Sequence, residues 1–158
     1  MKEDATQINK LLRTLETTWT SFQASYARLS ATEMQAPGVT DDWSVKDILA
    51  HVTTWEEEAL KHLPAIIAGG RPPRYITFGG LDAFNAQMTA KKRSLSLGEI
   101  LRQLEATHRR LIAFVRAAPA DQFAADTRAR RRLRLDTYSH YPIHTRTIRE
   151  WRERRAGE

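Results

Sequence analysis

The sequence predicts an all-α protein, a four-helix bundle, from three observations. Apolar residues recur at steps of three or four along four long stretches, the spacing of amphipathic helices. Two of those stretches open on Ser-x-x-acid signatures, Ser44–Asp47 and Ser96–Glu99, which cap helix N-termini. Turns and one long loop join the stretches, and amphipathic helices connected in this way bury their stripes against each other.

In chain order, residues 5–29 form the first stripe, through Ile8, Leu11, Leu15, Trp19, Phe22, Tyr26 and Leu29. Residues 31–42 break the pattern, with Pro37-Gly38 as a turn. Ser44 caps the second helix, whose buried face runs through Val45, Ile48, Leu49, Val52, Trp55, Ala59 and Leu63. His51 lies on the flank of that face, at the seam where another helix packs. Glu56, Glu57 and Glu58 read as a mostly solvated run, with Glu58 nearest His51. Pro64 kinks or ends this helix, and Gly69-Gly70-Arg71-Pro72-Pro73 terminates the element. Residues 69–80 are then a long loop between the second and third helices, of the kind that forms a lid or pocket wall.

A shorter helix from Asp82 points Phe84 and Met88 inward, with Asn85 beside them. The helix capped by Ser96 runs to about Ala118 and aligns Leu97, Leu101, Leu104, His108, Leu111 and Val115. His108 reads first as a satisfied core histidine and second as a ligand. Pro119 stops this helix, and Ala120–Phe123 adds one more turn. Residues 124–135 are irregular and basic, with Leu133 and Leu135 alternating, and predict a short extended strip or a mobile loop. The last helix starts near Tyr138 or Ser139, with Asp136 or Ser139 as cap and Pro142 in its first turn.

At 158 residues the chain is one domain by length, residues 1–158, and long enough for a proper core. Apolar residues at 41% and charged residues at 28% are ordinary for a soluble globular protein. The absence of cysteine excludes disulfides, thiolate metal sites and a cysteine nucleophile. No apolar run approaches the roughly 18 residues of a membrane span, and Met1-Lys2-Glu3-Asp4 carries no signal-peptide core. A cytoplasmic protein without a membrane partner is expected. The net charge is +6, and residues 126–158, with ten arginines against five acids, hold +5 of it. There is no glycine-rich phosphate loop, internal repeat or nucleophile-elbow serine.

The last helix carries the chemistry. His140, His144, Thr147, Ile148 and Trp151 share one face, while Arg146, Arg149, Arg152 and Glu153 point to solvent. Imidazoles four residues apart sit about 5–6 Å apart at Cβ, near enough to hold one metal ion. The other reading of this stretch is a buried pair satisfied by hydrogen bonds. His51 can meet that pair across a helix seam, or it is a boundary histidine bonded to a neighbour. Three neutral imidazoles with an open fourth position are the layout of a catalytic zinc-type centre. Imidazole ligands favour zinc or nickel over magnesium.

The run Trp43-Ser44-Val45-Lys46-Asp47-Ile48-Leu49-Ala50-His51, with Tyr138-Ser139-His140-Tyr141-Pro142-Ile143-His144 far downstream, resembles the DinB/YfiT-like superfamily. Within it, Asp82-Ala83-Phe84-Asn85 and the helix after Ser96 are most similar to the ClbS/DfsB branch. The resemblance spans nearly the whole chain. It implies a four-helix bundle of up-down-down-up connectivity with a long crossover. It also implies a divalent metal on His51, His140 and His144, the three positions matching the family's histidines. For activity it implies less: thiol-dependent transfer, isomerisation, or hydrolysis and detoxification of a reactive small molecule, with a homodimer common among relatives.

Two functional classes follow. The first is a metal-dependent enzyme, a hydrolase or thiol transferase, acting on a small reactive or thiol-linked molecule in detoxification or stress protection. Glu58 is its candidate base or orienting residue, and Asn85 and His108 are candidates for the pocket wall. Arg130 and Arg134, in the basic segment, would draw an anionic or thiol-bearing substrate. The alternative is a non-catalytic basic helical protein binding nucleic acid or another anionic partner, supported by the pI near 10. Against nucleic acid, the aromatics lie in helical stripes and do not interleave with the arginines, and no helix-turn-helix is apparent.

Overall fold

The structure is a computed structural model that describes residues 2–158. Met1, the first residue of the start read as lacking a signal-peptide core, lies outside them. The helices are α1 (Lys2–Ser25), α2 (Ala31–Gln35), α3 (Val45–Ile67), α4 (Leu81–Lys92), α5 (Leu97–Ala117), α6 (Ala120–Ala124), α7 (Arg128–Asp136) and α8 (Tyr141–Ala156). A 3-10 turn, Tyr75–Phe78, interrupts the loop between α3 and α4. No strand occurs among the described residues, only an isolated bridge between Thr40 and Trp43. None of these helices is long and apolar enough to cross a membrane.

The four long helices are the four predicted stripes. α1 packs against α8 and α6, while α3 packs against α5, α7, α4 and α2 and also touches α8. The interior is filled by Leu15 and Phe22 of α1, Ile48 and Leu63 of α3, Leu104 and Leu111 of α5, and Ile148 of α8. The boxes at Ser44/Asp47 and Ser96/Glu99 are both formed reciprocally, side chain to backbone in each direction. A third, Ser30/Glu33, opens the short α2 within the stretch expected to be irregular. α1 stops four residues short of Leu29, and Arg28 takes a left-handed φ of 66°. Tyr26 and Leu29 therefore reach the core from beyond the helix. Pro64 does not end α3, which runs on to Ile67; its ring only withholds one amide from the helical ladder.

Two expectations are corrected. Residues 128–136 are neither strip nor loop but the helix α7. Thr127 caps it by accepting from the Arg130 amide at 3.0 Å, and Arg132 pairs with Asp136 one turn on. Ala129 and Leu133 form its buried edge, with Leu133 fully buried and Leu135 64% exposed. Burial follows the four-residue spacing of Ala129 and Leu133, not the alternation of Leu133 and Leu135. The acidic run 56–58 is also not uniformly solvated, because Glu56 is fully buried. Glu56 continues the stripe Leu49, Val52, Ala59 and Leu63. Its Oε1 accepts from the Tyr141 hydroxyl at 2.9 Å, and its two oxygens lie 3.2 and 3.3 Å from His108 Nδ1. His108 in turn stacks on Trp19, centroid to centroid at 3.7 Å and 4° from parallel. Burial pushes the Glu56 carboxyl above its ordinary range, while His108 and Tyr141 pull it back down.

The helical assignment of residues 128–136 predicts unequal costs for its two leucines. Leu133→Ala is expected to lower unfolding free energy by about 2–5 kcal/mol, and exposed Leu135→Ala by no more than about 0.5 kcal/mol. Urea titrations of the two variants measure this. Similar losses would contradict the placement of α7.

Candidate metal centre

Three histidines reach one point from two helices. On α3 the capping box fixes the first turn, with the Asp47 amide on Ser44 Oγ at 3.2 Å and the Ser44 amide on Asp47 Oδ2 at 3.0 Å. His51 follows one turn later, its ring 5.1 Å from that of Trp43. At the other side, residues 137–140 make a tight turn after α7, and the amides of His140 and Tyr141 both donate to the Thr137 carbonyl at 2.8 Å. His140 thus occupies the N-cap position of α8, with Pro142 in the first turn, where a missing N–H costs nothing. Neither Asp136 nor Ser139 caps the helix, contrary to expectation. His144 lies one turn in.

The three ε-nitrogens converge. His140 Nε2 lies 3.0 Å from His51 Nε2 and 2.9 Å from His144 Nε2. The rings stand edge to face, with centroids 4.5–4.9 Å apart. Ligand atoms of all three fall within 4.8 Å of one another, close enough to hold one metal ion. Burial drives His51 down to about 3, with help from His140, and drives His140 down to about 4. Burial likewise takes His144 to about 2, aided by the other two rings. All three are neutral at pH 7 and carry lone pairs.

This arrangement fits a cation better than it fits itself. A neutral imidazole nitrogen offers one hydrogen or one lone pair. His140 Nε2 faces two other ring nitrogens, so its single hydrogen or single lone pair must serve two contacts. A divalent ion takes all three lone pairs at once, and imidazole is a preferred ligand for zinc and nickel. His140 Nδ1 is buried without a hydrogen-bond partner among the described residues, so this ring is oriented from its Nε2 side alone.

A cavity of about 430 Å³ opens beside His51 and His140. Trp55, Tyr75, Leu81, Asn85, Arg132, Leu135 and Asp136 complete its lining. Asn85 accepts from Trp55 Nε1 through Oδ1 at 2.9 Å. Arg132 Nε donates to Asp136 Oδ2 at 2.6 Å, and its other end donates to the Tyr75 hydroxyl at 2.6 Å. That hydroxyl in turn donates to Glu58 Oε1 at 3.0 Å, and Glu58 also lies 3.5 Å from His62. Burial lifts Asp136 to about 6, against the pull of Arg132. Gly79 and Gly80, at φ 95° and 104°, turn the chain sharply from the 3-10 turn into α4 and so place Leu81 at the rim.

Of the residues expected at the site, His51, His140 and His144 come together and Asn85 lines the cavity beside them. Glu58 stands behind Tyr75, outside the lining. His108 is on the far side of α3, with Glu56. Arg130 donates to the Phe123 and Ala124 carbonyls at the end of α6, and Arg134 is exposed; neither lines the cavity. Arg132, between them, does. Asp136 and Tyr75 escaped the sequence reading. The i,i+4 spacing of Arg132 and Asp136 was a visible signal for one, while nothing in sequence ties Tyr75 to residues 57 positions away.

An all-helical fold with three imidazoles converging on one point defines the class of protein. A family model described as the DinB superfamily matches residues 14–150, and the chain belongs to that superfamily. No curated protein matches the chain, and no solved structure does.

The depressed histidines predict an acid effect on stability. Unfolded imidazoles protonate near 6.5, whereas the buried ones resist until about 4 or below. Their contribution is therefore intact above pH 6.5 and is lost as pH falls toward 4. Asp136, raised from 3.8 to about 6, works the opposite way across that window. Urea titrations of metal-free protein at pH 7, 5.5 and 4.5 should show the loss. The triple variant His51→Ala, His140→Ala, His144→Ala should show a smaller slope; equal slopes would refute the assignment.

Proposed function

We propose that the protein is a metal-dependent enzyme of ClbS/DfsB type in which His51, His140 and His144 hold one divalent ion, zinc or nickel. In this reading it acts on a small reactive or thiol-linked molecule, by hydrolysis or transfer to sulfur, in detoxification or stress protection. The up-down-down-up connectivity, a cytoplasmic location and a homodimeric state belong to the same proposal and come from the family resemblance. The observation that carries it is the convergence of three neutral Nε2 atoms next to a cavity of small-molecule size.

When bound, such an ion lowers the pKa of a coordinated water or thiol and so supplies a nucleophile near neutral pH. The chain's own residues do the rest. Trp55, Leu81 and Leu135 keep the cavity largely apolar and exclude water around a bound molecule. Glu58 serves as an orienting residue, through Tyr75 and Arg132 to Asp136. The nucleic-acid alternative has less support, because Arg130, Arg132 and Arg152 are all spent on internal contacts.

Metal analysis of untagged protein is the test. About one zinc or nickel per chain is expected, and chelation should lower the melting temperature. Single alanine variants at 51, 140 and 144 should each lose the ion and melt as the chelated protein does. Full occupancy in the 140 and 144 variants would end the proposal. A metal-bearing protein then goes to a hydrolysis and thiol-transfer screen.

A further inference from the structure

The cavity beside the histidines has a polarity of its own. Its arginine is already charge-compensated, because Arg132 pairs with Asp136 through Nε and donates to Tyr75 through Nη2. An anionic guest would have to displace a buried carboxylate, or lie beside it without compensation, and both are costly. Acceptor capacity remains on the paired carboxylate. Asp136 is 4% exposed and lines the cavity, yet only its Oδ2 receives a hydrogen bond from the described residues. Among the described residues Oδ1 is an acceptor without a donor. The rest of the lining is the Trp55 indole, the Tyr75 phenol, the His51 and His140 imidazoles, the Asn85 amide and two leucines, Leu81 and Leu135, which stand 54% and 64% exposed. Together with the indole and phenol, the two leucines offer an apolar body a surface to lie on.

We infer that this cavity takes an uncharged molecule with an apolar body and a hydroxyl or amide N–H that donates to Asp136 Oδ1. In the metal-free protein the same carboxylate disfavours anionic molecules. This deepens the function proposed above by naming its substrate class, and it rests on that reading only in taking this cavity as the substrate's place. It differs from the anionic substrate expected from the basic segment, because the arginine facing the cavity is charge-paired with Asp136.

Three probes of one skeleton test it: 4-phenyl-1-butanol, its methyl ether and 4-phenylbutyrate. They are titrated into the full chain, stripped with chelator so that no paramagnetic ion remains. The readout is the indole N–H resonance of Trp55, which lines the cavity and is assigned by its loss in Trp55→Phe. The alcohol should bind about tenfold or more tightly than either the ether, which lacks the donor, or the carboxylate. Asp136→Ala frees Arg132, so the carboxylate should then become the tightest of the three. The wild-type series stands by itself should that variant fold poorly. Equal binding of alcohol and ether, or tighter binding of the carboxylate by the wild type, would overturn the inference. Shifts that bypass Trp55 would overturn it as well. Metal content is read separately, so an absent ion would end the metalloenzyme proposal and leave this result standing.

Discussion

The buried Glu56 carboxylate is the constraint on which the arrangement of helices depends. A carboxylate cannot be taken from water without partners, and its partners here come from two other helices, His108 on α5 and Tyr141 on α8. Through the stack of His108 on Trp19, α1 is drawn in as well. The consequence reaches the metal centre directly. α3 and α8 make few other contacts, and Tyr141 is the neighbour of His140 in sequence. The Glu56–Tyr141 bond at 2.9 Å and the His51–His140 approach at 3.0 Å are therefore two rungs between the same helices. Neutral imidazoles have little reason to gather unaided. The first rung holds the second in place.

How far this was legible in the sequence depends on the range of the contacts involved. The helices were legible because burial imposes a period of 3.6 on any helix facing a core, and Leu15, Phe22, Ile48, Leu104 and Ile148 keep it. The histidine pair was legible because i,i+4 spacing is a geometric fact of one helix. α7 was not, because five arginines within nine residues hid a short buried edge of Ala129 and Leu133. Glu56 was half-legible. It falls on a stripe at steps of three and four, and His108 falls on another, so two polar residues in facing stripes could have been paired. The cavity wall was not legible at all, since Tyr75 and Arg132 meet only through the tertiary fold.

The charge pattern repeats that lesson. Ten arginines against five acids at the C-terminal end suggested a surface for anions. In the folded chain Arg152 closes the end of α1 by donating to the Ser25 and Ala27 carbonyls at 2.9 Å, and Arg130 does the same for α6. Cationic side chains at helix C-termini satisfy carbonyls that the helix itself leaves open and complement its dipole. Formal charge counts residues, not unsatisfied groups.

The loop between α3 and α4 gains a property from α7 that its own composition would deny it. Rich in glycine and proline and without a hydrophobic anchor in its first half, it ought to be slack. Arg128 binds the Gly70 carbonyl at 2.9 Å near one end, and Arg132 binds Tyr75 further on. Two stitches from a single helix divide the loop into short arcs, and shorter arcs have less conformational freedom to surrender. The cavity wall is thus tailored before any guest arrives, and a guest is spared most of the ordering cost that a floppy lid would charge.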